Sequence, residues 1–87
     1  MKIKAGFVVR EVAGQIVALP TSDDLNLNMM ITLNETAKFL WDLLDKGAER
    51  DELVNAIQVT YDVDEATATS AVDGFVEKLN HYGFLAE

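Results

Sequence analysis

The stretch "MITLNETAKFLWDLLDKG", residues 30–47, joins an uncharged extended segment to a strongly apolar helix. Asn34 lies at the junction, where its side chain can accept a hydrogen bond from a free backbone N–H of the first helical turn. Gly47 follows the last helical position, where helices commonly end. The stretch therefore predicts a short strand and a helix that begins after Asn34 and ends before Gly47.

The apolar surface of this helix is too wide to be buried on one side only. At 100° per residue, Phe39 and Leu43 widen the main apolar stripe to an arc of roughly 200°. We therefore expect the helix to lie between a sheet on one side and two further helices on the other. The main stripe consists of Leu33, Ala37, Leu40, Trp41 and Leu44.

The residues before this helix are typical of a β-hairpin and a third strand. Residues 7–12 and 15–19 are rich in β-branched side chains, and Ala13-Gly14 between them can form a tight turn. Pro20 has no N–H for a sheet ladder and ends the second strand. The third strand is predicted at residues 29–33, and a simple meander of the three is expected.

Two more helices complete the chain. "ERDELVNAIQVTY", residues 49–61, is amphipathic, and a third helix runs from its cap at Asp64 to Gly83. Three strands followed by three helices predict an α+β fold, a three-stranded antiparallel sheet followed by a three-helix bundle. We expect residues 1–87 to form a single domain.

Charge and composition limit the classes of partner. The 87 residues carry a net charge of −8, with +2 in residues 1–20 and −10 in residues 21–87. Such an acidic surface repels the phosphate backbone of nucleic acids. No apolar run approaches the ~18 residues of a membrane span, and no signal peptide is visible, so we expect a cytoplasmic protein with no membrane partner.

The sequence offers no set of residues typical of catalysis. Cysteine is absent and His81 is the only histidine, so a metal site with several nitrogen or sulfur ligands cannot be assembled. No serine has an evident histidine partner, and the five glycines form no phosphate-binding loop. We expect no catalytic residue, no metal and no cofactor, and hence a protein that is not an enzyme.

A winged-helix regulator of transcription is the alternative function, because three helices with a small sheet match that architecture. A recognition helix needs basic or amide side chains that face the DNA groove. Residues 62–87 instead carry six acids against Lys78 alone. Charge therefore argues against this alternative.

The third strand lacks the residues that usually guard a sheet edge. "LNLNMMITLN", residues 25–34, contains neither charge nor proline, whereas the first strand carries Arg10 and Glu11. Either a helix or loop covers the third strand, or the strand is open to an added peptide strand. The residues alone leave both interpretations open.

Gly74 is the one unusual position of the third helix. Glycine in a helix interior costs about 1 kcal/mol relative to alanine. Close approach of another chain would explain it, and so would a lightly constrained helix face, which is the simpler interpretation.

The chain resembles the PqqD family, a group also described as RiPP recognition elements. The resemblance lies in the order of elements and in three stretches, which are "MITLNETAKFLWDLLDKG", "DELVNAIQVTYDVDEATA" and "LNHYGFLAE". It implies a winged-helix-like fold that binds the leader segment of a ribosomally made precursor peptide. It also implies that the leader is presented to a modifying enzyme, a radical SAM protein in pyrroloquinoline quinone biosynthesis.

The resemblance further implies a site. The leader would add as a strand beside the third strand, in a groove against the third helix. Its backbone partners would be Met29, Met30, Ile31 and Thr32, and the groove wall would consist of Phe75, Val76 and Leu79, with Val72 behind. The implied partners are the precursor peptide and the modifying enzyme.

Overall fold

The computed structural model describes residues 1–21 and 30–86 and confirms the α+β fold, with three antiparallel strands followed by three helices. Within these residues, no helix combines the length and apolarity needed to cross a membrane. The elements are β1 (Phe7–Val12), β2 (Gln15–Pro20), β3 (Ile31–Leu33), α1 (Glu35–Lys46), α2 (Arg50–Tyr61) and α3 (Glu65–Tyr82).

The sheet is the expected meander, with strand order β1-β2-β3 and antiparallel pairing throughout. Ala13 (φ 52°) and Gly14 (φ 81°) form the two-residue turn between β1 and β2. Positive φ at both positions is the requirement of a type I′ turn, whose twist matches that of the flanking strands. The hairpin is therefore set by local sequence.

The third strand is shorter than predicted and begins at Ile31 rather than at residue 29. The ladder between β2 and β3 ends at the pair Ala18–Ile31. Pro20 lies two residues beyond Ala18 on β2 and has no N–H to donate. The ladder between β2 and β3 therefore cannot continue past Ala18 in the same register. Met30 lies just before the strand, and Met29 lies outside the described residues.

Side-chain caps define the starts of two helices as predicted. The Asn34 side chain accepts a hydrogen bond from the Ala37 N–H at 2.8 Å, and the Asp64 side chain accepts one from the Thr67 N–H at 2.7 Å. Each bond satisfies a backbone donor that has no partner within its helix. Gly47 caps the end of α1 with φ 95°, a conformation that favours glycine.

Helix α1 is buried on two sides, as the width of its apolar arc predicts. Trp41 is 4% exposed, and its ring packs 5.6 Å from that of Phe84, which in turn lies 4.4 Å from Phe7 of β1. On another side, the Phe39 ring meets the Tyr61 ring of α2 at 5.7 Å. These aromatic contacts join the sheet, α1, α2 and the C-terminal segment in one core.

The two ends of the chain pair with each other, which the sequence did not predict. Ile3 forms an isolated β-bridge with Leu85, and the Lys4 N–H donates to the Phe84 carbonyl at 2.7 Å. The Ile3 N–H also donates to the Leu44 carbonyl at the end of α1, at 3.0 Å. The residues before β1 therefore hold the C-terminal segment against α1.

Candidate functional site

The hydrogen-bonding direction of each residue in β2 follows from the hairpin turn. A two-residue turn makes its flanking residues, Val12 and Gln15, a hydrogen-bonded pair, and such pairs alternate along an antiparallel ladder. The odd-numbered residues of β2 therefore bond to β1. The Thr21 N–H donates to the Gly6 carbonyl at 2.8 Å just beyond the strand, which agrees with this alternation.

The even-numbered residues of β2 consequently bond to β3. Ile16 lies opposite Leu33 and Ala18 lies opposite Ile31, so Ile31 and Leu33 direct their N–H and C=O groups toward β2. Thr32, between them, directs its N–H and C=O groups away from the sheet. Within the described residues no strand pairs with β3 on that side, so Thr32 presents an open donor and acceptor there.

A groove of about 440 Å³ runs beside this open edge. It lies between β3 and the start of α1 on one side and the middle of α3 on the other. Its position matches the place where an added strand would extend the sheet. The lining residues are Thr32, Asn34, Thr36, Ala37 and Leu40 on the first side, and Ser70, Ala71, Gly74, Phe75 and Lys78 on the second.

The lining combines an apolar floor with a polar rim, in which Lys78 is the one charged residue among those described. Leu40 and Phe75 are 1% and 9% exposed and close the bottom of the groove, while Thr32, Thr36 and Ser70 add hydroxyl-bearing side chains to the lining. Within residues 1–21 and 30–86, no three acidic or histidine side chains cluster as metal ligands would. The groove can therefore accept an extended chain with apolar side chains, by hydrogen bonding and burial.

The groove lining shares Phe75 with the predicted wall, and its other residues of α3 lie on a different flank of the helix. Of the four predicted wall residues, Phe75 lines the groove, whereas Val72 and Leu79 are 0% exposed and support the floor from behind. Val76 is half-buried and lies about 160° around the helix from Gly74, on the opposite flank. Sequence reasoning did not place Ser70, Ala71 or Lys78 in the lining, and it noted Gly74 only as an unusual mid-helix position.

The opposite flank of α3 is directed at α2. The guanidinium Nε and the second terminal nitrogen of Arg50 donate to the two carboxylate oxygens of Asp73 at 2.7 and 2.8 Å. The hydrogen bond with Asp73 raises the pKa of Arg50, and the same bond lowers the pKa of Asp73. This bidentate pair is half-exposed and joins α3 to the start of α2 on the flank away from the groove.

Gly74 lies at the junction of the groove with a second hollow. A Cβ atom added at Gly74 would have no neighbouring atom within 4 Å, so the space above the helix backbone is open. Gly74 and Lys78 also line a hollow of about 490 Å³ on the outer surface of α3, together with Glu77, Asn80, His81 and Tyr82. The groove and this hollow therefore share one flank of the helix.

Comparisons with known proteins identify the family of this chain. A solved structure described as "TbiB1 in Complex with the TbiA(beta) Leader Peptide" is similar to this chain at a TM-score of 0.76 and 26% identity, covering 99% of this chain and 95% of that chain. Comparison with curated protein sequences gave no match. A family model described as "Coenzyme PQQ synthesis protein D (PqqD)" matches residues 8–85. The match extends over nearly the whole chain, and the protein belongs to the PqqD family.

Proposed function

We propose that this protein binds the leader segment of a ribosomally synthesised precursor peptide and presents it to a modifying enzyme. The observation that carries the proposal is the open edge at Thr32, which borders a groove between β3 and α3. The similarity to TbiB1, whose structure contains a leader peptide, supports the same function. Membership of the PqqD family supports it further.

The backbone of the bound leader pairs with β3 on its open side. Thr32 provides one N–H and one C=O, and a strand that extends one residue further reaches Met30, which has the same orientation when the pairing continues. These two residues provide about four hydrogen bonds at ~1 kcal/mol net each. Ile31 contributes differently, because its own N–H and C=O hold β3 to β2. Met29 belongs to the predicted segment but lies outside the described residues.

Side chains of the leader enter the groove between β3 and α3. In an added strand, alternate side chains point toward α3, where Leu40 and Phe75 form the floor. Val72 and Leu79 act by supporting that floor, because no part of either side chain is exposed. We expect direct contacts from Ser70, Ala71, Gly74 and Lys78 rather than from Val76.

The expected affinity is micromolar or somewhat tighter. Two or three apolar side chains at ~1.5–3 kcal/mol each, added to the hydrogen bonds, give a gross gain of roughly 7–13 kcal/mol. Ordering a flexible peptide and restricting its free motion remove several kcal/mol of that gain. A remainder of about 8 kcal/mol corresponds to a Kd near 1 μM.

We propose that the chemistry is done by the partner and not by this chain. His81 lines the outer hollow and not the groove, so no histidine stands beside the hydroxyl groups of the groove lining. A radical SAM enzyme is the partner in pyrroloquinoline quinone biosynthesis, and an enzyme of that class is our proposal here. The cytoplasm, where precursor peptides are synthesised, is the proposed location.

The test is an NMR titration of the ¹⁵N-labelled protein with a synthetic peptide that carries the leader sequence of a candidate precursor. Amide shifts should concentrate on residues 30–33 and 70–78, and a peptide of scrambled sequence should produce none of them. Shifts confined to β1 or to the outer surface of α2 would refute this site, even with tight binding.

A further inference from the structure

We propose that the groove selects a leader with an acidic side chain placed to pair with Lys78. This inference rests on the proposed function and adds the chemistry of the peptide to it. Lys78 is the one charged residue among the described residues that line the groove. A peptide side chain that faces α3 therefore meets either apolar surface, uncharged polar groups or this ammonium group.

Gly74 gives the Lys78 side chain room in the groove. Side chains on a helix lean toward its N-terminus and cover the turn before their own Cα. For Lys78 the residue directly beneath, four positions earlier, is Gly74, and an added Cβ there would contact nothing within 4 Å. The missing side chain at Gly74 therefore leaves free space beside Lys78, into which the lysine side chain can extend.

The Lys78 ammonium group has no carboxylate partner among the described residues. The ion pairs among the described residues join the N-terminus to Glu49, Lys38 to Asp42, and Arg50 to Asp73. One turn before and after Lys78 on the same helix lie Gly74, Phe75, His81 and Tyr82, none of which is acidic. Glu77 lines the outer hollow and not the groove.

This arrangement is notable in a chain that carries 15 acids against 7 basic residues. The net charge of −8 alone favours a basic peptide. Charges on the far side of the domain are screened beyond about 10 Å, however, so contacts in the groove are decided by the groups that line it. The net charge therefore predicts a basic peptide, whereas the groove lining predicts an acidic one, and an experiment can distinguish the two predictions.

The test is selection from a phage-displayed library of random dodecapeptides. The library is panned against the wild-type protein and against Lys78→Glu, Lys4→Glu and Thr32→Pro. Lys4→Glu is the matched control, because Lys4 is exposed, does not line the groove, and its replacement changes the net charge equally. Circular dichroism confirms that each variant is folded before it is used.

Wild-type protein and Lys4→Glu should both enrich peptides with Asp or Glu at a fixed spacing from a large apolar residue. Lys78→Glu should enrich Lys or Arg at that same position. An enriched peptide should bind Lys78→Ala about fivefold more weakly than it binds the wild-type protein. The same peptide with its Asp replaced by Asn should bind the wild-type protein and Lys78→Ala with equal affinity. This double-mutant comparison assigns the contact to Lys78 itself.

The inference is overturned if the wild-type pool shows no acidic position, or if Lys78→Glu selects the same pool. Thr32→Pro reports separately on the proposed function. If Thr32→Pro retains the wild-type pool, binding does not use the open edge and the proposed function fails at this site. If the acidic position is absent while Thr32→Pro abolishes binding, the proposed function stands and only the role of Lys78 is wrong.

Discussion

At the scale of single residues, Gly74 shows how a local cost can mark a site. A mid-helix glycine destabilises a helix by about 1 kcal/mol relative to alanine. No packing contact in the described structure requires it, because nothing would touch an added Cβ. Gly74 instead lies in the groove lining, beside Lys78 and near the open edge of β3, where we propose that the peptide passes.

Replacement of Gly74 should separate helix stability from peptide binding. Gly74→Ala should raise the free energy of unfolding by up to ~1 kcal/mol, a Tm increase of about 4–8 °C, and leave affinity unchanged because one methyl group fits the open space. Gly74→Leu should remain folded but weaken peptide binding at least about tenfold, because the side chain fills the groove. Thermal denaturation and peptide titration measure the two effects.

Ala66→Leu is the matched control for Gly74→Leu. Ala66 is exposed on the same helix and does not line the groove. Equal affinities for Gly74→Leu and Ala66→Leu would show that the peptide does not pass over Gly74.

At the scale of elements, β3 determines where a peptide strand can be added, because the N–H and C=O groups of its successive residues point in opposite directions. The Thr32 N–H points to the open edge, whereas the Ile31 N–H points into the sheet opposite Ala18. The register of the whole sheet, set by the turn at Ala13-Gly14, decides which of the two is available. The sequence of the third strand alone cannot reveal this.

Proline substitution should distinguish Thr32 from Ile31. Thr32→Pro removes an N–H that makes no ladder bond, so the fold should persist while peptide affinity falls at least about tenfold. Ile31→Pro removes a ladder hydrogen bond and a side chain that is 5% exposed, so it should lower the free energy of unfolding by several kcal/mol, about 3 or more. Unchanged affinity in Thr32→Pro would contradict strand addition at this edge.

The ion pair between α2 and α3 should make the free energy of unfolding depend on pH in the acidic range. The hydrogen bond from Arg50 lowers the pKa of Asp73, and the hydrogen bonds from Thr67 lower the pKa of Asp64. A carboxyl group with a lowered pKa stabilises the fold above its unfolded pKa, and this contribution is lost as pH falls through the folded pKa. The loss therefore lies below the ordinary carboxyl pKa of 3.8.

Asp73→Asn should reduce the steepness of this acid-dependent loss, because the titrating group is removed. Urea unfolding at several pH values between about 2 and 5 measures the slope of the free energy of unfolding against pH. Asp64→Asn is a useful second variant, because asparagine remains a good helix cap while it no longer titrates. A slope unchanged in both variants would show that other carboxyl groups control acid unfolding.

At the scale of the whole molecule, the local features could be predicted and the tertiary ones could not. The hairpin and the caps at Asn34 and Asp64 each depend on a few adjacent residues. The early end of β3 depends on Pro20 in another strand, and the flank of α3 that lines the groove depends on how its buried stripe packs in the core. The pairing of the chain ends likewise joins residues far apart in sequence.

Replacement of Trp41 tests the packing of the whole core. Its ring is 4% exposed and contacts Phe84, which joins α1 to the sheet. Trp41→Ala should lower the free energy of unfolding by about 3–5 kcal/mol, which is a large part of the stability of so small a domain. Val59→Ala, at a residue that is 75% exposed, should change it by less than about 0.5 kcal/mol. A near-native Tm for Trp41→Ala would contradict the placement of α1.

The central claim, that a leader adds as a strand to β3, is tested most directly by hydrogen exchange at single amides. In the free protein the Ile31 and Leu33 amides are bonded to β2, whereas the Thr32 amide points to the open edge. NMR-detected exchange should therefore show Thr32 exchanging faster than its two neighbours. A saturating leader should slow Thr32 at least about tenfold, because its N–H gains a partner. If Thr32 exchanges at the same rate with the leader bound, the peptide does not pair with this strand.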